Sequence, residues 1–132
     1  MFLPYKTEAG NVIPWEYLPS GAIAMKLGMA LTQAAGLLSA ATGSTVPTYI
    51  AMAGYPGAVA AGTIVPVIRV DRGTVFETTN QASFAAIKRG DKVTLHSDGM
   101  QVTATKTGGI AEVVDYDAKA AAGAGGRVWV RF

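Results

Sequence analysis

The sequence contains no cysteine and one histidine. Without thiols there is no disulfide, no thiolate metal site and no cysteine nucleophile, and the redox compartment is left open. A lone imidazole also removes the usual multi-histidine metal sites. Charge is scarce: 15% of the residues are Asp, Glu, Lys or Arg, against about a quarter in an average soluble domain, so neighbouring subunits are expected to cover part of the surface. No uninterrupted apolar run approaches the roughly 20 residues that span a bilayer. Residues 1–6 lack the basic-then-apolar pattern of a secretory signal. Synthesis in the cytoplasm, with no membrane partner, is the expectation.

The net charge of +2 comes from eleven Lys and Arg against nine Asp and Glu, spread along the chain. A surface that tracks phosphates needs clustered cations, because affinity grows with the number of phosphates neutralised, so nucleic acid is not an expected partner. Half of the 132 residues are hydrophobic, enough for one compact core without metal or disulfide.

Residues 1–22 carry Pro4, Pro14 and Pro19 among Phe2, Tyr5, Trp15 and Tyr17, with neither helical nor strand periodicity. Each proline fixes its own backbone and pushes its predecessor toward extended conformations, so this segment reads as an extended N-terminal arm ahead of a domain over 23–132. Its aromatics either fold back over the chain's own core or anchor on a neighbouring subunit.

From Ile23 onward, short apolar runs punctuated by glycine predict an all-β sandwich or barrel. Runs 29–32 and 37–40 flank a hairpin loop ending in Gly36. Residues 48–52 and 63–70 read as strands, and Pro66 within the second implies an edge position or a bulge. Thr74, Val75 and Phe76 continue the pattern. Residues 80–88 fit either a two-turn helix capped by Asn80, burying Phe84 and Ile87, or an extended run. Runs 92–96 and 100–104 flank Ser97-Asp98-Gly99, a strong hairpin signal, and 110–116 reads as a further strand. An alanine–glycine loop over 118–126 precedes a final strand with Val128, Val130 and Phe132 on one face and Arg127, Trp129 and Arg131 on the other. Something other than the core face must cover Trp129. Because the chain ends within a strand, its C-terminus is expected to be anchored.

Residues for chemistry are few. His96, Ser97 and Asp98 are consecutive, and neighbours in sequence cannot fold onto one another as a triad. Asp115 and Asp117 share a side if their strand continues, but two spaced acids on a strand face are read as solvated, and no metal or cofactor is expected. Gly108-Gly109 and 123–126 lack the lysine and following helix of a phosphate cradle. Arg89-Gly90-Asp91 spells an adhesion tripeptide, yet Gly-Asp before a strand is ordinary turn chemistry. The chain therefore reads as non-enzymatic, with Phe2, Tyr5, Trp15, Tyr17 and Trp129 as the candidate contact residues.

The phrases Tyr5-Lys6-Thr7-Glu8-Ala9-Gly10, Lys26-Leu27-Gly28-Met29-Ala30-Leu31, Ala41-Thr42-Gly43, Pro47-Thr48-Tyr49-Ile50, Gly90-Asp91-Lys92-Val93 and Val128-Trp129-Val130-Arg131-Phe132 together resemble the small head decoration, or cement, proteins that coat assembled capsids of tailed bacteriophages. The resemblance implies a compact β-barrel or β-tulip domain on the capsid exterior, often trimeric at local three-fold positions, with an extended arm on the major capsid protein. Such an arm could add backbone pairing to an exposed sheet edge. Small barrels are reused widely, so a head fibre base, a tail component or a receptor-facing domain is the alternative. A nucleic-acid or small-ligand module is a further one, hinted at by Trp129 between Arg127 and Arg131.

Overall fold

The computed structural model describes residues 1–7, 10 and 12–132. Among the described residues, ten strands form two five-stranded antiparallel sheets. The strands are β1 (Leu3–Thr7), β2 (Trp15–Pro19), β3 (Ala30–Ala34), β4 (Leu37–Ala40), β5 (Tyr49–Ala51), β6 (Ile64–Arg69), β7 (Thr74–Thr79), β8 (Lys92–Val93), β9 (Ala111–Tyr116) and β10 (Arg127–Arg131), with one short helix, α1 (Ala118–Ala122). Sheet A has the order β1-β7-β10-β9-β8, and sheet B the order β2-β6-β5-β3-β4.

Period-two alternation decides what each sheet buries. Phe76, Val113, Val128 and Val130 of sheet A meet Ala30, Ile50 and Ile68 of sheet B in one core, joined by Phe2, Phe84 and Ile87. The other face of sheet B is apolar too: Leu31, Leu38, Tyr49, Ala51, Val65 and Val67 pack with Met25 and Met29 in a second core. The segments that cover this face hydrogen-bond to each other, Val59 N–H to Ile23 C=O at 3.0 Å and Tyr55 N–H to Met25 C=O at 3.1 Å. Sheet B curls around this second core until Ser20, just past β2, forms a single parallel bridge with Leu38 of β4. The curl stops short of closure, so the expected closed barrel is replaced by two open sheets.

Among the described residues, the segment expected as an extended arm is strand at both ends: β1 pairs with β7, and β2 with β6. Its aromatics supply what local periodicity did not show, partners on two different sheets. The β1–β7 ladder carries a register shift between Pro4 and Lys6. Pro66 lies in an interior strand, neither at an edge nor at a bulge. Its carbonyl accepts from Met52 N–H at 3.0 Å, and its missing N–H faces the same side, one residue beyond the end of β5, where a lost ladder bond costs least.

The hairpin β3–β4 turns through two residues, Ala35 (φ 49°) and Gly36 (φ 80°), the left-handed pair of a type I′ turn. The reversal at Ser97-Asp98-Gly99 forms as expected, with His96 N–H on Gln101 C=O at 2.9 Å. Beyond Val93 it is held by isolated bridges rather than a continuous ladder, because Leu95 also pairs with Gly43.

Residues 80–88 do not form the helix that Asn80 could have capped. The helix lies instead in the alanine–glycine stretch expected as a loop: Asp117 caps α1, its Oδ1 accepting from Ala120 N–H at 2.8 Å. Asn80 is fully buried. Its Nδ2 donates to the carbonyls of Ala82 (2.7 Å), Ala120 (2.9 Å) and Gly123 (2.7 Å), while its Oδ1 accepts from Gly126 N–H (2.8 Å). Gly126 must be glycine, since a Cβ there would fall on the main chain of Ala120. Phe84 N–H also bonds Ala120 C=O at 2.8 Å, so 80–88 docks on α1 through its own backbone and is not free to coil.

Buried groups that lose their partners cost about 1–3 kcal/mol each. Asn80→Ala is accordingly expected to remove about 3 kcal/mol from urea unfolding, and Asn80→Asp at least as much because it turns an acceptor toward three carbonyls. A loss below about 1 kcal/mol for Asn80→Ala would show that the amide is dispensable.

Candidate functional site

The β2–β6 register sets Trp15 opposite Ile68, Tyr17 opposite Pro66 and Pro19 opposite Ile64. All six side chains therefore share the face of sheet B that looks toward sheet A. Sheet A covers Ile68 and stops there. Trp15, Tyr17 and Ile64 remain 53%, 65% and 58% exposed, a contiguous apolar strip along an edge strand of the kind that marks an interaction surface. Glu16 and Leu18 point to the opposite face, where Glu16 takes both Arg69 nitrogens at 2.9 and 3.0 Å, Arg69 lies 4.9 Å over the Tyr49 ring and Leu18 packs on the second core.

Beside Trp15 a cleft of about 300 Å³ opens between β1 and β2, walled by Tyr5 and Trp15 and lined by Ile13, Met52 and Ile68. The two edge strands thus each give this cleft one aromatic wall. Tyr5 serves it twice, being 58% exposed while its ring stacks 5.7 Å from that of Trp129.

The five residues singled out from sequence divide accordingly. Tyr5 and Trp15 line the cleft together, and Tyr17 lies two residues further along β2. Phe2 is not a contact residue: it is fully buried, edge-on to Phe132 at 5.5 Å. It sits one residue ahead of β1 and plugs the end of the shared core, while Phe132 also meets Phe76 at 5.9 Å and anchors the C-terminal residue. Trp129 is covered on the outer face of sheet A, between the Tyr5 ring and the Arg127 guanidinium at 5.7 Å, and its Nε1 donates to Glu77 Oε2 at 3.0 Å. That packing leaves no open ring for base stacking. Sequence reasoning missed Ile64 and Pro66 as surface residues. Their alternation with Val65 and Val67 was visible, but which face would lie bare depends on where sheet A ends.

The remaining candidates are occupied by local structure. His96 Nδ1 and Asp98 Oδ1, 3.2 Å apart, flank a single tight turn. In Arg89-Gly90-Asp91 both charges are engaged: Arg89 with Asp115 at 2.7 Å and Asp91 with Lys106 at 2.7 Å. Asp117 caps α1 and faces Arg127 at 3.6 Å, so the two spaced acids have separate partners. Among the described residues no group of three or more His, Cys, Asp or Glu is placed to hold a metal ion, and no helix is long and apolar enough to cross a membrane. Comparison with protein-family models, with curated proteins and with solved structures finds no match.

Trp129→Ala is expected to cost about 2 kcal/mol, since it strips a covered ring and its indole bond. Tyr17→Ser should stay within about 0.5 kcal/mol of the parent in thermal unfolding, and the reverse ranking would contradict the assignment of one ring to packing and the other to surface.

Bonds from the Arg89 guanidinium at 2.7 and 2.9 Å, and then from Tyr116 N–H at 2.8 Å, hold the Asp115 carboxyl below the ordinary carboxylate range. A lowered folded value means that this pairing favours the native state above the pH where the unfolded carboxyl titrates, and that the benefit disappears as pH falls through the folded value. Carboxyl NMR should find the Asp115 midpoint moving upward in Arg89→Ala; an unmoved midpoint would deny the guanidinium its role.

Proposed function

We propose that this chain is a non-enzymatic structural protein of a tailed bacteriophage that decorates and stabilises the assembled head from outside, docking as a homo-oligomer, a trimer at local three-fold positions, on the major capsid protein. The observation that carries the reading is the uncovered face of Trp15, Tyr17 and Ile64 beside the Tyr5–Trp15 cleft. Rigid aromatic rings dominate binding energy where they are desolvated, and leaving them in water on an otherwise well-buried chain has a cost that contact with a partner removes. Five of the short phrases that resemble decoration proteins overlap β1, β3, β5, β8 and β10, in both sheets, while Ala41-Thr42-Gly43 lies between β4 and β5.

Docking is assigned to side chains on β1 and β2 rather than to a free arm. A protein that binds the assembled shell and not its separated subunits stabilises the shell through mass action, and many modest sites on one lattice act together. No chemical step is needed. The virion exterior is the corresponding location.

The recombinant chain is expected to pellet stoichiometrically with capsids that lack it and to give exterior density in cryo-electron microscopy. Trp15→Ser/Tyr17→Ser should lose pelleting while keeping its circular dichroism and melting temperature close to the parent's. Absence of pelleting by the parent overturns the capsid reading, with binding to host-cell surface material then pointing to a receptor-facing or tail role. Full pelleting by the double variant overturns the placement on β1 and β2.

A further inference from the structure

The cleft beside Trp15 has a chemistry that narrows what can fill it. Its floor is apolar, from Met52 and Ile68, and its walls are Tyr5 and Trp15. A volume of about 300 Å³ is at the small end of ligand pockets, room for a side chain or two and not for a cofactor. The polar groups around it are one-sided. The Trp15 indole N–H and the Lys6 ammonium can only donate hydrogen bonds, and among the described residues neither has a partner within the chain. Among the described residues that line the cleft, none carries a carboxylate or a side-chain amide. The walls are held before anything binds: β1 is laddered to β7, and Trp15 stands opposite Ile68 in the β2–β6 ladder. Little ordering is left for a ligand to impose.

We propose that the cleft binds a proline-rich segment of the partner in the polyproline II conformation, with one pyrrolidine ring between Tyr5 and Trp15 and a neighbouring acidic residue facing Lys6. This names the partner chemistry of the docking face proposed above and rests on that reading. A polyproline II backbone makes no internal hydrogen bonds, and each proline in it carries a carbonyl acceptor and no N–H. Acceptors without donors are what the indole N–H and the ammonium require. A sugar is a poorer match, because its hydroxyls also donate and the lining has few acceptors. Lys6 opposes a quaternary ammonium between the rings, and one cation is too few to track phosphates. Every third residue of polyproline II faces the same side, about 9 Å apart, so a proline in the cleft sends the next toward Tyr17, about 7 Å beyond Trp15 along β2. Such a segment asks nothing of the β1 edge, where Pro4 has no N–H to offer an added strand.

The test is titration of the full isotope-labelled chain with the peptide acetyl-Pro-Pro-Pro-Pro-Pro-Glu-amide, with the same peptide carrying glycine for proline, with a linear maltooligosaccharide and with a short oligothymidylate. The proline peptide is expected to shift the Trp15 indole N–H signal saturably in NMR, and the glycine peptide to leave it in place. Trp15→Ala should raise the Kd about tenfold or more. Trp15→Phe, which keeps a ring and loses the indole donor, should recover part of that loss. Lys6→Ala should raise the Kd roughly two- to threefold. An unmoved Trp15 indole, equal binding of the glycine peptide, indifference to Trp15→Ala, or tighter binding of the sugar or oligothymidylate at Trp15 overturns the proposal. Capsid pelleting without proline-peptide binding overturns this inference and leaves the capsid reading standing, and peptide binding without pelleting does the reverse.

Discussion

The side-chain amide of Asn80 is the point on which sheet A is aligned. It sits one residue past β7, binds Gly126 one residue before β10, and holds the carbonyls of Ala120 and Gly123 in between. β10 is the middle strand of its sheet, so fixing its start fixes the sheet. A slip of one residue would turn Val128 and Val130 out to water and Trp129 into the core. In the native register Trp129 faces outward, and its ring becomes the surface on which Tyr5 lies. That contact helps seat β1, and β1 supplies the Tyr5 wall of the cleft. A buried polar group at the base of a strand thereby reaches, through register and stacking, an exposed face on the other side of the sheet.

Sheet B is under a different constraint. Both its faces are apolar, and two different partners cover them: sheet A on one side, and on the other the segments that pair at Ile23 with Val59 and at Met25 with Tyr55. The interior strand β5 is buried on both faces, as is the first half of β3. β2 lies at the margin of the region that sheet A can cover, and Trp15 and Tyr17 are left out by geometry, not by a polar sequence. Every apolar Å² still in water represents about 25 cal/mol that a partner's surface can recover.

Features set by neighbours in sequence were legible before the fold was known. The β3–β4 hairpin, the reversal at Asp98-Gly99 and the alternation of β10 each depend on a turn residue or a period of two, and each is present. The failures share a cause. Phe2, Tyr5, Trp15 and Tyr17 gave no periodicity because β1 and β2 are short and belong to different sheets, which made strands look like an arm. Pro66 looked like an edge residue because nothing local shows that β5 ends just short of it. Asn80 was read as a possible cap for the residues after it, when three of its four side-chain partners lie 40 to 46 positions away. Asp117 ahead of an alanine run was a usable helix signal, masked by the glycines that follow. Of the candidate contact residues, Tyr5, Trp15 and Tyr17 are exposed, whereas Phe2 and Trp129 are covered through contacts between distant strands.

The Pro4–Lys6 irregularity in β1 bears on how copies of this chain meet. A regular, unpaired edge invites another strand, and then another, so that association propagates without limit. Pro4 withholds a donor and the register shift beside it twists the outer rim, while β2 terminates in Pro19. At high concentration, molecules with such edges are discouraged from zipping into fibres through their backbones, and what they retain is side-chain contact, which saturates. A sticky face next to a poorly templating edge is a way of making adhesion finite.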